Sequence, residues 1–165
     1  MRVGWKQFLF PEVTKGLAIR AFLTAALAYL FFAFVCIPMR VSGRSMEPLY
    51  HGGQFLFCWA PSYWLSEPRR FDVVFVQMTG RQVVLLKRVA ALAGETVGFQ
   101  NGALMVDGRR VEEAHVKFKG NWNLPGRKVK PGNVYVIGDN RAVSMDVHVF
   151  GQTPTNRILG TPLSW

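Results

Sequence analysis

The chain has 165 residues, 50% of them hydrophobic, with 13 Phe and 5 Trp, which leaves room for one membrane anchor and one domain and argues against two globular domains. Its 20 Lys and Arg against 10 Asp and Glu give a net charge of +10, a field that attracts anionic lipid or nucleic acid. No Lys/Arg block is long enough to form a nucleic-acid patch, so lipid headgroups are the expected partner and nucleic acid is not.

The first predicted element is the uncharged run 21–37, closed by Pro38. Extended back to Leu17 it takes in Arg20, whose side chain can snorkel to the headgroups. As a helix, residues 17–37 measure roughly 31 Å, about one hydrocarbon core. Residues 35–40 offer no small-x-small cleavage site, so a retained transmembrane anchor over 17–38 is expected rather than a removed secretory leader. Arg2, Lys6, Lys15 and Arg20 precede the span with only Glu12 against them, and Arg40 and Arg44 follow it. That bias predicts that residues 1–16 are cytoplasmic and that the 39–165 domain lies on the exported side.

Beyond the anchor, strands are predicted at 54–59, 71–77, 83–90 and 134–137. Each is short, β-branched or aromatic, and bounded by Gly, Pro, Asn or Asp. Asn101-Gly102 and Asp107-Gly108 read as tight hairpin turns around 103–106, and Lys130-Pro131-Gly132-Asn133 as a turn before a strand. Residues 121–130 read as a long surface loop. The expected fold class is mostly β, a compact barrel or packed sheets, with one N-terminal transmembrane helix. Phe55 and Phe57 alternate on one strand face, which is compatible with a core position. Trp59, Tyr63 and Trp64 flank Pro61 and suit the bilayer interface. Cys36, in the apolar run, and Cys58, in an aromatic segment, are expected at different depths and without a disulfide. The histidines (His51, His115 and His148) are scattered, no metal-ligand cluster is spaced along the chain, and no cofactor is expected.

The chemistry-bearing pieces are three. Ser45 lies in the Gly/Pro-punctuated turn Gly43-Arg44-Ser45-Met46-Glu47-Pro48, just past the anchor. Lys87 lies in the apolar run Val83-Val84-Leu85-Leu86-Lys87-Arg88-Val89. On a strand, Val83, Leu85, Lys87 and Val89 share a face, with Arg88 turned the other way toward solvent or an acidic partner. A serine hydroxyl needs a neighbour to take its proton. Lysine can do so only as the neutral amine, and burial can lower its pKa from near 10.4 by about 3–5 units. Taken alone, such a lysine is more often a snorkelling edge residue, and a lone Gly-x-Ser-Met turn carries little. The third piece runs Val136-Ile137-Gly138-Asp139-Asn140-Arg141 and on through Ser144-Met145-Asp146-Val147-His148-Val149-Phe150-Gly151. A strand enters a sharp turn there, and Asp139 and Arg141 are suited to pinning a loop.

In this order the pieces resemble the type I signal peptidases, the Ser–Lys leader peptidases of bacterial plasma membranes, together with their compact mitochondrial inner-membrane and conjugative-transfer relatives. The family pattern Gly-x-Ser-Met-x-Pro after a transmembrane helix matches residues 43–48. Its Gly-Asp-hydrophobic-Val-hydrophobic strand matches Phe71-Asp72-Val73-Val74-Phe75. Lys87-Arg88-Val89 with Gly94-Glu95 matches the lysine box. Gly138-Asp139-Asn140 with residues 144–151 matches the last box, and Pro154 with Ile158-Leu159-Gly160 looks like the closing strand. The resemblance covers about residues 20–160.

It implies a membrane-anchored serine endopeptidase that removes signal peptides from exported preproteins at the plasma (inner) membrane. By that resemblance Ser45 is the nucleophile and Lys87 the general base, Ser144 hydrogen-bonds the Lys87 amine, and the Ser45 N–H helps hold the oxyanion. Asp139, Arg141 and Asp146 hold the Ser144 loop against the Lys87 strand. Substrate lies as an extended strand, with small side chains one and three residues before the cut in shallow apolar pockets near Gly43, Met46, Val83 and Leu85. The chain departs from the pattern at Leu49, Ala142 and Val143, and at His148, where an arginine is typical; Gly43 also lacks a hydroxyl that some members carry for the oxyanion. A dedicated conjugative-transfer or pilin substrate stays open. So do a self-cleaving Ser–Lys repressor, which the span opposes, a Ser–His hydrolase using His51, His115 or His148, and an inactive anchored peptide-binding relative.

Overall fold

The computed structural model describes residues 14–78 and 84–163. It opens with helix α1, Lys15–Phe34, capped by Thr14, whose hydroxyl accepts the Leu17 N–H at 3.2 Å. None of its side chains is buried. Apart from Lys15 and Arg20 the helix carries no charge, and its 20 residues are long and apolar enough to cross about one hydrocarbon core. The helix stops short of the expected 37. Val35 closes it by donating its N–H to the Phe31 carbonyl, and Cys36–Arg40 leaves as strand β1. Pro38 accounts for this: the residue before a proline avoids helical backbone, and a proline fits an edge strand, which β1 is.

The remaining strands are β2 (Phe55–Trp59), β3 (Val73–Gln77), β4 (Val84–Ala91), β5 (Thr96–Gln100), β6 (Ala103–Val106), β7 (Arg109–Arg110), β8 (Leu124–Lys128), β9 (Asn133–Ile137), β10 (Gly151–Pro154) and β11 (Ile158–Pro162). Among the described residues they form two antiparallel sheets, one of seven strands in the order β1-β2-β11-β3-β4-β9-β10 and one of four in the order β7-β6-β5-β8. The β-rich expectation thus takes the form of packed sheets. Val97, Phe99, Leu104 and Val106 of the small sheet meet Ala90, Ala91, Tyr135 and Ile137 of the large one around Trp122. The two predicted hairpin turns carry paired left-handed residues, Asn101 (φ 50°) with Gly102 (φ 77°) and Asp107 (φ 50°) with Gly108 (φ 74°), the backbone that matches strand twist in a two-residue turn.

Three expectations need correction. Residues 121–130 are not a loop throughout, because β8 pairs with β5, Thr96 opposite Lys128. Its Pro125 and Gly126 disguise it, and an edge strand tolerates both. Gly98 and Gly126 also let the two backbones close: a Cβ at Gly98 would meet the Leu124 carbonyl at 2.9 Å. On β2 the alternation is as read but the inward set is Leu56 and Cys58, while Phe55 is 72% exposed. The outward set instead meets the anchor, Phe57 against Phe32 and Trp59 against Phe31. Finally, the cysteines are not far apart in depth. Ile37 pairs with Cys58 and Cys36 with Trp59 on adjoining strands, so the pleat turns the two thiols to opposite faces.

Candidate active site

The turn that follows β1 is built from main-chain bonds. Val41 donates to the Gln54 carbonyl at 2.9 Å and accepts from Gly53 at 2.8 Å, and Gly43 takes a left-handed φ of 79°. Met46, 2% exposed, drives into an apolar cluster with Val41, Cys58, Phe75 and Leu86. With its neighbour anchored this way, the Ser45 hydroxyl faces β4. The Lys87 amine donates to Ser45 Oγ at 2.8 Å.

Lys87 lies directly across from Val74, and Leu85 across from Val76. Val74, Val76, Val89, Val134 and Val136 form the apolar cluster on this side of the sheet. The lysine is 3% exposed. Burial pulls its pKa from 10.5 down to about 8, with Asp139 opposing the shift. The expected dry face is therefore present, although Val83 lies outside the described residues. Leu85 is half-buried and lines a shallow hollow with Lys87, Val136 and Phe150. On one side β4 pairs with β3 along 84–88, and on the other with β9 only from Arg88 onward. Among the described residues, the backbone of 84–86 has no strand on that second side.

Arg88, the next residue, turns to the opposite face and finds its acidic partner. It binds both Asp139 carboxylate oxygens, at 2.8 and 2.6 Å, and the Phe71 carbonyl at 2.7 Å. The 138–141 loop then closes over the serine turn. Asn140 donates its backbone N–H to the Ser45 carbonyl at 2.8 Å and its side-chain amide to the Arg44 carbonyl at 3.1 Å. A Cβ at Gly138 would collide with the Ser45 carbonyl and lie 2.7 Å from His148 Nε2; only glycine permits this approach. Arg141, 2% exposed, donates to the Gly138 carbonyl at 2.8 Å and holds the Glu113 carboxylate with both guanidinium ends. Burial pushes the Glu113 carboxyl up, but His115 and Arg141 outweigh it and hold it below the usual range.

His148 is buried, packs edge-on against Trp122 and accepts the Gly138 N–H at 3.0 Å. Burial first, then the positive Lys87 and Arg141, lower its pKa to about 3, so it stands neutral. It braces the loop as an acceptor, not as half of an ion pair. That arrangement separates it from Asp146 and from Ser144, and two expected contacts are missing. Ser144 is exposed, and its hydroxyl reaches Asp146 at 3.4 Å, not the Lys87 amine. Residues 144–148 wind into a turn, Val147 bonding back to Ser144 and His148 to Met145. Met145 and His148 point inward, which sends Ser144, Asp146 and Val147 outward. Of the expected supports, Asp139 and Arg141 join the site; Ser144 and Asp146 do not.

Sequence reasoning missed Glu113 and gave His115 no place beside Asp139. Their partners lie far along the chain, Arg141 being 28 residues from Glu113, and no local pattern links them. His115 Nε2 sits 3.7 Å from Glu113 and 3.9 Å from Asp139.

A family model described as "Signal peptidase, peptidase S26" matches residues 14–164. The chain is 34% identical over 145 residues to the "Probable signal peptidase I-1" of Synechocystis sp., covering 83% of this chain and 74% of that one. It is 34% identical over 150 residues to signal peptidase I of Bacillus amyloliquefaciens, covering 84% and 78%. A solved signal peptidase I from Enterococcus faecalis V583 overlays 60% of this chain and 98% of its own with a TM-score of 0.48 and 25% identity.

Proposed function

This chain belongs to the signal peptidase family, peptidase S26, and from that premise we propose that it cuts signal peptides from exported preproteins with Ser45 as nucleophile and Lys87 as general base. The observation that carries the reading is the 2.8 Å contact between a 3%-exposed lysine amine and the serine hydroxyl. With a pKa of about 8, roughly one amine in ten is neutral at pH 7, enough to accept a proton. The neutral amine takes the Ser45 proton as Oγ attacks the scissile carbonyl. The Ser45 N–H stabilises the oxyanion. The ammonium so formed returns its proton to the leaving amine, and the acyl-serine is then hydrolysed with Lys87 again as base.

The open backbone edge of 84–86 supports an extended substrate strand laid beside Ser45. Leu85, lining the hollow beside Lys87, supports a shallow pocket for a small side chain, while Met46 seats the serine turn from within the core. Gly43 shapes the turn without adding a donor. The anchor holds the site at the membrane of export, with the N-terminus cytoplasmic and the β domain on the far side. Trp64, 64% exposed, and Leu65, fully exposed, suit the lipid interface, and the excess Lys and Arg suits anionic headgroups rather than nucleic acid. A Ser–His alternative through His148 is disfavoured because its Nε2 is already occupied by the Gly138 N–H.

The test uses the full chain in detergent with a preprotein bearing small residues before the cut. Wild type is expected to release the mature protein, and Ser45→Ala and Lys87→Ala to leave the preprotein intact. Cleavage by Lys87→Ala at the wild-type rate would sink the proposed base. Wild type that binds preproteins without cutting them would identify a peptide-binding relative.

A further inference from the structure

Behind Lys87 lies an ionic group that the mechanism does not use. Two carboxylates, Asp139 and Glu113, each hold a guanidinium, Arg88 and Arg141 respectively. His115 inserts its Nε2 between them, with Glu113 on its own segment and Asp139 on the 138–141 loop. That nitrogen is buried and has no hydrogen-bond partner within normal reach among the described residues. Only a proton on Nε2 makes its position attractive to both carboxylates. The other side of the imidazole stands edge-on to Phe71 with ring centroids 5.2 Å apart. Phe71 has a φ of 73°, a left-handed backbone that a bulky residue adopts only when its surroundings hold it there. The strained corner has a use, since the Phe71 carbonyl is the third acceptor for Arg88. Arg88 adjoins Lys87 on β4, so whatever steadies Asp139 and Phe71 steadies the strand that aims the amine.

We propose that His115 is a positioning residue for Lys87, acting through Asp139 and Phe71 and not by touching the reacting atoms. It does two things. Its ring braces the left-handed corner from outside. An N–H dipole at its Nε2, 3.9 Å from Asp139, partly offsets a negative charge that would otherwise favour the protonated amine. Segment 111–118 thereby becomes part of the catalytic support: Arg141 N–H also bonds the Phe118 carbonyl at 2.9 Å.

This inference rests on the Ser45–Lys87 reading, and the experiment separates the two. Full-length wild type, His115→Ala, His115→Phe and His115→Gln are assayed on a preprotein from pH 6 to 10, and each is melted. His115→Ala is expected to lose about tenfold in kcat at neutral pH with KM unchanged, a fraction of what ångström-scale misplacement can cost. His115→Phe keeps a ring against Phe71 but no N–H. Its acid limb should move to higher pH by about half a unit, because Asp139 then favours the charged amine more strongly. His115→Gln restores an N–H and should return the limb toward wild type. A wild-type limb in His115→Phe overturns the proposal, as does loss of the melting transition in all three variants, which would make His115 a core residue only. Preprotein cleavage surviving in Lys87→Ala would instead defeat the function reading, whatever His115 does.

Discussion

The loop region that follows β9 has two stretches, and they differ in almost every physical respect. In 138–141 all four residues are buried, and main chain and side chains are tied to Ser45, Arg44, Arg88, Phe118 and Glu113. In 142–147 no residue is buried, and the Ser144 hydroxyl makes one long 3.4 Å bond to its near neighbour Asp146. The contrast teaches that nearness in sequence to Asp139 does not confer a place in its hydrogen-bond network. Burial with satisfied partners is what fixes a geometry to within a fraction of an ångström.

The comparison can be broken first at its strong end. Asp139→Asn leaves the Arg88 guanidinium buried without its counter-charge, and should cost about 3–5 kcal/mol in denaturant unfolding. A cost under about 1 kcal/mol would show that the pinned loop is not what holds β4.

Next comes Lys87 itself. Its folded pKa of about 8 lies below the ordinary 10.5. The unfolded chain therefore binds more protons between those values, and stability rises with pH across that window. Below it the native state carries a penalty of about 3 kcal/mol. Lys87→Met should thus be inactive yet melt higher at pH 7, with the gain shrinking toward pH 10.5. A lower melting temperature at pH 7 would mean that the amine is stabilising there.

A somewhat smaller effect separates the two stretches through His148. Its pKa is depressed from 6.5 to about 3, so its share of stability is whole above about 6.5 and drains away as pH falls toward 3. Wild type should lose about 2 kcal/mol by pH 5 from this group, and His148→Gln should lack that part of the acid sensitivity. The smallest effect belongs to Ser144→Ala, expected to change stability by less than about 0.5 kcal/mol and the cleavage rate by less than about threefold. A hundredfold fall would reverse the comparison and return Ser144 to the amine.

Much of this was legible in the sequence because it is local. The apolar alternation of β4 placed Lys87 on a dry face and Arg88 on the opposite one. The Asn-Gly and Asp-Gly pairs located two hairpins. The turn around Ser45 announced itself by Gly43 and Pro48. What escaped depends on distant partners. β8 has no apolar pattern because it buries no face, four of its five residues being exposed. The inward phase of β2 was set by a helix that needs aromatic contacts on the other side. The Glu113–Arg141 and His115–Asp139 relations join segments with no shared periodicity. The outward turn of Ser144 follows from Met145 and His148 finding core positions, which no motif records.

One consequence follows from the direct passage of α1 into β1. Only Val35 separates the last helical residue, Phe34, from a strand of five residues, roughly 17 Å of extended chain. Phe31 and Phe32 brace that junction against Trp59 and Phe57. Because β1 pairs with β2 along its whole length, the helix runs into the sheet with no free linker between them. A helix joined to the sheet this directly would set the height of Ser45 along the helix axis, an expectation that insertion of residues after Val35 tests.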